Sequence, residues 1–456
     1  MGNKSPDAYH CYEEALQTTR VGLFFIIARM CNTNTWQAPL WLDNAYLEKV
    51  LRSYLKDDNV TIVDVNICPV NPNGENYASV MSRIKITFKQ FKNQESQQLS
   101  FILKYSYESD AYVANIMNSY DVYNTEMKMY EQILPQLAKV LQESGDMNKL
   151  CADTLKVDYE RSTIIFEDLS VQNYVMANRQ RGLDMLHASM VMKKLGKFHA
   201  AGAVLNEKRN GTLQQFDHGI FNRHSRSFGC IFENFCLEVA NFAKDSPDLG
   251  IYYHDKLTKL SNHIVDYGIK AYTANPHHFY TLSHGDLWTN NIMMRYDKAN
   301  EAESIGTKRV LKDIMFIDFQ LCNWSLAAVD LHYFFNTSLE SNLLMDSIAQ
   351  ANLVQLYHSE LSDTLKKLGY DGHIPTLREI WMQLEESKIL ALIGVIAQRP
   401  IMTSSQSDDA DIHSLLDDDE RARNFRKNCV NNKDYQIILK NMLPVFDRRG
   451  LLDLQK

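Results

Sequence analysis

Leu282-Ser283-His284-Gly285-Asp286-Leu287-Trp288-Thr289-Asn290-Asn291 is the stretch on which the reading of this chain turns, and Phe316-Ile317-Asp318-Phe319-Gln320 answers it downstream. The first puts an aspartate and an asparagine five positions apart, on a loop that follows an apolar and aromatic run. The second ends a short β-branched and aromatic run in another carboxylate, 32 positions after the first. Phosphoryl transfer needs this set of groups. One aspartate orients the attacking hydroxyl and accepts its proton, while an amide oxygen and a second carboxylate hold Mg²⁺ on the nucleotide phosphates. Asp286 is therefore the candidate catalytic residue. Asn291 and Asp318 are the candidate metal ligands, since hard Mg²⁺ takes oxygen donors. His284 is expected to brace the loop by hydrogen bonding, and Asp330 either caps the helix that follows or ties the loop down.

Upstream, the chain carries the order of elements found in a kinase small lobe. A helical stripe of Leu42, Ala45, Tyr46, Val50, Leu51 and Tyr54 runs from Trp41 to Leu55, with Asp43 or Asn44 to cap it. Three strand-like runs follow: Val60 to Ile67, Tyr77 to Phe88 and Leu99 to Tyr105. The turn cluster Asn71-Pro72-Asn73-Gly74-Glu75-Asn76 separates the first two. Gly74 and Ser79, with Asn73 and Asn76, offer donors to nucleotide phosphates, because a small loop lets the backbone approach an anion. With one glycine, a plain hairpin turn is the alternative. Lys104 ends the third apolar run, where a lysine needs a partner or must snorkel outward. Its expected role is to touch the phosphates while pairing with Glu126, or with Glu131, on the helix over Asn124 to Pro135. A hairpin from Leu155 to Leu169 ends in Glu167-Asp168-Leu169, where the backbone of Glu167 and Leu169 fits the adenine edge; Asp168 alternatively caps the next helix.

Beyond residue 170 the periodicity turns helical. Leu183 to Leu205 is amphipathic and contains His199, read as a packed core histidine rather than a ligand. Further helices are expected near 228–243, 251–273, 340–368, 375–398 and 420–443, with short strands at Ile292 to Tyr296 and Val310 to Asp318. The acidic stretch Ser404 to Asp419 reads as a solvated linker. The fold class implied is α+β and bilobal. Residues 39–170 form a small lobe and hinge, and 171–456 a large, mainly helical lobe. Residues 1–38 form an extension with no usable pattern.

Composition narrows the class. With 456 residues, 45% hydrophobic and 23% charged, the chain is an ordinary globular protein large enough for two lobes. A net charge of −8 argues against a nucleic-acid partner, which selects for a basic face. Its eight cysteines are scattered with no C-x-x-C pair, which fits reduced thiols in a cytoplasmic protein. The apolar run Val21 to Ala28 is far short of the ~20 residues a bilayer requires, and acidic residues precede it, unlike a signal peptide. The expected partner is a small-molecule hydroxyl acceptor, bound by a monomer or weak dimer with no membrane attachment.

Protein kinases carry H-R-D-x-x-x-x-N and D-F-G where this chain has H-G-D-x-x-x-x-N and D-F-Q. The latter forms resemble the aminoglycoside phosphotransferase and choline kinase branch. More narrowly, the chain from about residue 39 to its C-terminus resembles the ecdysteroid kinase-like (CHK kinase-like) family. The residues that carry this are Asn73 to Ser79, Glu126-x-x-x-Tyr130-x-x-x-Leu134-Pro135, Glu167-Asp168-Leu169, Phe198-His199-Ala200, the two opening motifs and Asp330-Leu331. The resemblance implies ATP- and Mg²⁺-dependent phosphorylation of a hydroxyl on a lipophilic molecule, such as an ecdysteroid or a xenobiotic or its glycoside, with detoxification as one role. Substrate choice would lie in helices within 206–280 and 340–400. Two other readings stand beside this one. A choline, ethanolamine or aminoglycoside-type kinase would place acidic residues in the acceptor pocket. A ligand-binding pseudokinase would have lost Asp286, Asn291 or Asp318, and all three are present.

Overall fold

The computed structural model of the chain describes residues 38–70, 79–90, 93–106, 111–273, 275–297, 310–404 and 412–455. The turn that carries Gly74, and nearly all of the N-terminal extension, lie outside the described residues. The fold is α+β and bilobal, of the protein kinase-like kind.

The small lobe begins with α1 (Asn44–Leu55), capped by Asp43, whose carboxylate accepts from the Tyr46 amide at 2.8 Å. Five strands follow: β1 (Thr61–Pro69), β2 (Ser79–Gln90), β3 (Asn93–Ser106), β4 (Thr154–Asp158) and β5 (Thr163–Glu167). They form one antiparallel sheet in the order β1-β2-β3-β5-β4. Side chains alternate between the two faces of a strand. Ile84, Ile86, Phe88, Phe101, Leu103 and Ile165 therefore pack on one face with Leu47, Val50 and Leu51 of α1. Ile102, Ile164 and Phe166 pack on the opposite face with the large core. Lys104 has the parity of Ile102, so its ammonium is delivered to that inner face, beside the next helices.

Between β3 and β4 come α2 (Ala111–Ser119), α3 (Val122–Lys128), a π-helical turn (Met129–Ile133) and α4 (Leu134–Glu143). Sequence reasoning has Pro135 ending this helix or opening the next turn. The second of these holds: Pro135 stands in the first turn of α4, which the π turn joins to α3 without a break. Proline lacks the N–H that would bond four residues back, and a widened turn absorbs the loss. The same device recurs at residues 389–403.

The large lobe holds β6 (Tyr174–Met176), α5 (Met185–Lys208), α6 (Gly229–Asp245), α7 (Gly250–Ser261), α8 (Ile264–Tyr272), β7 (Tyr280–Ser283), β8 (Ile292–Tyr296), β9 (Leu311–Phe316) and β10 (Asn323–Leu326). Then follow α9 (Ala328–Ser338), α10 (Ser341–Met345), α11 (Ser347–Lys367), α12 (Leu377–Glu386), α13 (Ile389–Ile393), a second π turn (Gly394–Gln398), α14 (Arg399–Thr403), α15 (Ile412–Leu416), α16 (Glu420–Val430) and α17 (Lys433–Arg448). Two small sheets, β10-β7 and β6-β8-β9, carry the two motif loops on their ends. Just beyond the second π turn, in α14, Pro400 cannot donate to the Ile396 carbonyl, and the Tyr435 hydroxyl donates there instead, at 3.4 Å, and to Val395 O at 3.0 Å.

Three expectations are corrected in detail. Residues 251–273 form two helices, broken at Asn262-His263. Residues 420–443 also split, because Asn432 stops one helix and caps the next, accepting from the Asp434 and Tyr435 amides. The stretch read as a solvated linker includes α15, whose Ile412, Leu415 and Leu416 are buried. Apolar residues among the acidic ones anchor that part to the core. Its acidic end is exposed at Asp418 and Asp419 but ordered as well, with Asp418 paired to Arg426 at 2.8 Å and Asp419 capping α16.

Candidate active site

β7 feeds the stretch 284–291 into the cleft, and Gly285 makes the turn possible. Its φ of +80° favours glycine, and a Cβ there would stand 2.1 Å from the Leu321 carbonyl oxygen. Asp330, in the first turn of α9 and fully buried, accepts the His284 amide at 2.7 Å and the Gly285 amide at 2.8 Å. His199 lies 3.0 Å from the same carboxylate and 2.7 Å from the Tyr357 hydroxyl. Burial opposes the Asp330 charge, but His199 and the loop amides outweigh it and hold the carboxyl below its usual range. Of the two roles open to Asp330, tying the loop down is the one the structure shows.

His284 is also fully buried, and its two ring nitrogens are both used. Nε2 donates to the Ile317 carbonyl at 3.0 Å, and Nδ1 accepts the Asp286 amide at 3.3 Å. That pattern selects the neutral Nε2–H tautomer. Burial agrees, pushing the imidazole below its ordinary value. The ring packs 4.8 Å from Phe319, which also meets Tyr130 of the π turn at 5.5 Å and Phe198 of α5 at 5.9 Å. Phe319 thus links both motif loops to the Glu126 helix.

Asp286 is held at both oxygens. Tyr333 donates to Oδ1 at 2.5 Å and the Asn291 amide nitrogen to Oδ2 at 3.0 Å. The same Asn291 nitrogen donates to the Asp286 carbonyl at 2.8 Å, which turns the amide oxygen away from Asp286. Burial and the nearby Asp318 charge push the Asp286 carboxyl up to about 7, against the pull of Tyr333, Asn291 and Lys104. A carboxylate poised near neutral pH is suited to accept a proton.

Asp318 lies opposite, at the end of the β9 segment. Its φ of +66° is a left-handed conformation that non-glycine residues seldom adopt. Lys104 Nζ bridges Asp318 Oδ1 at 2.7 Å and Glu126 Oε2 at 2.7 Å. Burial works against the Lys104 charge, but the two carboxylates overcome it and keep the ammonium well above its ordinary range. Glu126 is the partner of Lys104; Glu131 is exposed and accepts from the Tyr159 hydroxyl at 2.9 Å. Among the described residues no cluster of three or more His, Cys, Asp or Glu is arranged to hold a metal. The donors present are the Asp318 carboxylate and the Asn291 amide oxygen. Such a sparse oxygen set suits Mg²⁺, which keeps waters and shares its shell with substrate phosphates.

The remaining sequence candidates sit as follows. Ser79 lines a narrow crevice with Lys104 and Glu126. The Glu167 side chain is occupied by Lys149 at 3.0 Å, the Asp153 amide at 2.8 Å and Gln172 at 2.6 Å. Leu169 is buried. Asp168 accepts from Arg83 at 2.8 Å and Ser100 at 2.6 Å and caps a short turn. Only backbone groups of this stretch remain to meet an adenine edge, which is the role sequence reasoning assigns them.

On the far side of Asp286 a cavity of about 190 Å³ opens. Apart from Asp286, its described lining is largely apolar or aromatic, including Met117, Tyr120, Phe228, Phe232, Trp288 and Ile401. Trp288 comes from the opening motif itself. Sequence reasoning expects such a wall from 206–280 and 340–400. It does not expect the contributions of α2 at Met117 or of α15 at Ile412 and Leu415. Tyr333 is likewise not among the residues that the sequence singles out. The signal that finds it is spacing: it lies three residues after Asp330, hence on the same helix face.

The family model described as "Ecdysteroid kinase-like family" matches residues 73–370 of the chain. A search of the curated proteins returns no match. Among solved structures, an ethanolamine kinase of Plasmodium vivax aligns at 14% identity and TM-score 0.44, covering 91% of this chain and 93% of its own. A choline kinase of Streptococcus pneumoniae aligns at 10% identity and TM-score 0.32, covering 88% of this chain and 99% of its own. A macrolide 2'-phosphotransferase of Brachybacterium faecium aligns at 9% identity and TM-score 0.35, covering 86% and 99%. Likeness at this level says nothing about substrate.

Proposed function

This chain belongs to the ecdysteroid kinase-like family, and on that footing we propose that it transfers the γ-phosphoryl group of ATP to a hydroxyl of a lipophilic small molecule, such as an ecdysteroid or a xenobiotic or its glycoside. The observation that carries the proposal is the position of Asp286. It faces the Lys104–Asp318 ion pair on one side, and on the other it opens into an apolar cavity. Asp286 would hydrogen-bond the acceptor hydroxyl and take its proton late. Lys104, freed from Asp318 and still paired with Glu126, would hold nucleotide phosphate. Asp318 and the Asn291 oxygen would hold Mg²⁺, which when bound neutralises phosphate charge. Ser79 and the backbone of Glu167 and Leu169 would complete the nucleotide site, while His284 and Asp330 keep the loop in shape.

The cavity lining supports a lipophilic acceptor over a polycationic one, because among its described residues Asp286 is the sole carboxylate. A polycation would need a counter-charge for each of its ammonium groups; a single quaternary ammonium could use the aromatic side chains, which is why choline is one of the acceptors to be tested. The proposal extends to a cytoplasmic monomer or weak dimer working without nucleic acid or membrane. No helix among the described residues is long and apolar enough to cross a membrane.

The test is ATP consumption with Mg²⁺ across ecdysteroids, sterol glycosides, choline and aminoglycosides, with Asp286→Ala and Asp318→Ala in parallel. Turnover on a steroid or glycoside is expected, reduced about 10²- to 10⁴-fold by loss of the base. Turnover confined to choline or an aminoglycoside would overturn the acceptor class, and turnover indifferent to both substitutions would overturn the site.

A further inference from the structure

The cavity beside Asp286 holds a polar group that nothing in the fold uses. Gln398 closes the second π turn, is 8% exposed and lines the cavity. Among the described residues its side-chain amide has no hydrogen-bond partner. An amide on a largely apolar wall calls for an explanation, and its atoms are not sealed off from the cavity, so they are open to whatever enters it. A packing role does not supply that explanation, since the neighbouring wall residues Ala397, Ile401 and Met402 are apolar and a leucine or methionine would fill the same space.

The local backbone shows how the amide is delivered. Pro400 widens the helix into a π turn, a feature frequent at functional sites. Gly394, at the start of that turn, lets it press on α9: a Cβ there would stand 2.7 Å from the Asn336 Cβ and 3.6 Å from Gln398 Oε1. Asn336 lies three residues beyond Tyr333, one helical turn (~5 Å) along the same face. Gln398 and Tyr333, whose hydroxyl holds Asp286, both line this cavity.

We propose that Gln398 is a specificity-determining residue of this cavity, recognising a hydroxyl or carbonyl oxygen that the acceptor carries in addition to the hydroxyl presented to Asp286. An amide offers one acceptor oxygen and two donor hydrogens, so it takes either kind of oxygen. The substrate class is thus an apolar skeleton bearing at least two oxygens, rather than a simple lipophilic alcohol. This inference rests on the reading of the cavity as the acceptor site.

The experiment is calorimetric titration of the full chain with androstanol and with a set of androstanediols and hydroxyandrostanones that differ in the position of the second oxygen. Wild type is expected to bind at least one doubly oxygenated probe about tenfold more tightly than androstanol. In Gln398→Leu, and again in the near-isosteric Gln398→Met, that gap should close to within about twofold, because both lose the tight binding of the doubly oxygenated probe and gain on androstanol. Thermal melts of both variants check that the fold is kept. A gap that persists in both variants, or equal binding of all probes by wild type, overturns the role of Gln398 and leaves the proposed function standing. Failure of every probe to bind wild type overturns the cavity as acceptor site, and this inference with it.

Discussion

Two regions meet at Asp286 and are built in opposite ways. The catalytic loop is a polar structure at the edge of the core, where Asp330, His284 and Asn291 hold it by bonds of 2.7 to 3.3 Å between buried and half-buried groups. The cavity wall is mostly hydrocarbon, assembled from α2, α6, α9 and the helices after residue 389, and its one nearly buried amide is unpaired. A loop whose hydrogen bonds close on themselves has one geometry, which positioning a reacting hydroxyl demands. A wall held by dispersion and burial keeps its shape with fewer directional constraints and can differ in outline without disturbing the loop. The difference teaches that chemistry and selectivity are carried here by separate structural means that share a single carboxylate.

The largest effect should separate the two regions in stability. Asp330→Ala leaves the His284 and Gly285 amides and His199 without their buried acceptor, so unfolding free energy should fall by about 3–5 kcal/mol. Ile401→Ala, on the cavity wall, should cost only about 1 kcal/mol, because the site already borders open space. Urea denaturation of both variants makes the comparison. Similar losses for both would erase the distinction drawn above.

A smaller effect should come from Asp286 itself. Its folded-state pKa of about 7 lies above the unfolded value of 3.8. The unfolded chain therefore sheds this proton first, and wild type loses stability as pH rises from about 4 through about 7. Asp286→Asn should be more stable than wild type by about 2 kcal/mol near pH 8, with the gain vanishing towards pH 4. Melting both proteins across that range tests it; a constant difference would mean that Asp286 carries no such strain.

The smallest effect concerns Tyr333, which stands on the border between the regions. Its hydroxyl favours the charged form of Asp286, so Tyr333→Phe should raise the carboxyl pKa. The acid limb of the kcat/KM profile should then move up by roughly half a unit to one unit. An unshifted limb would make the 2.5 Å contact irrelevant to the base.

Legibility in the sequence follows the same border. His284, Gly285, Asp286, Asn291 and Asp318 are close along the chain, and their order announces the chemistry they are arranged for. Lys104 and Glu126 were legible too, because strand parity and helical period are local rules. Asp330 was readable only as one of two roles, since capping and clamping put an aspartate at the same place on α9. Tyr333, Gln398 and the wall residues were not readable as a set, and neither was the burial of α15.

What the sequence determined by itself is the small lobe's order, the α+β class, the motif loops and the identity of the Lys104 partner as one of two glutamates. These depend on spacings of a few residues, where backbone geometry alone decides which side chains share a face. The tertiary structure alone decided that Asp330 clamps the loop, that Glu126 rather than Glu131 meets Lys104, and that helices more than a hundred residues apart enclose one apolar cavity on Asp286. Those outcomes depend on how helices pack in three dimensions, and an apolar side chain reads the same in sequence whether it faces a core or a cavity.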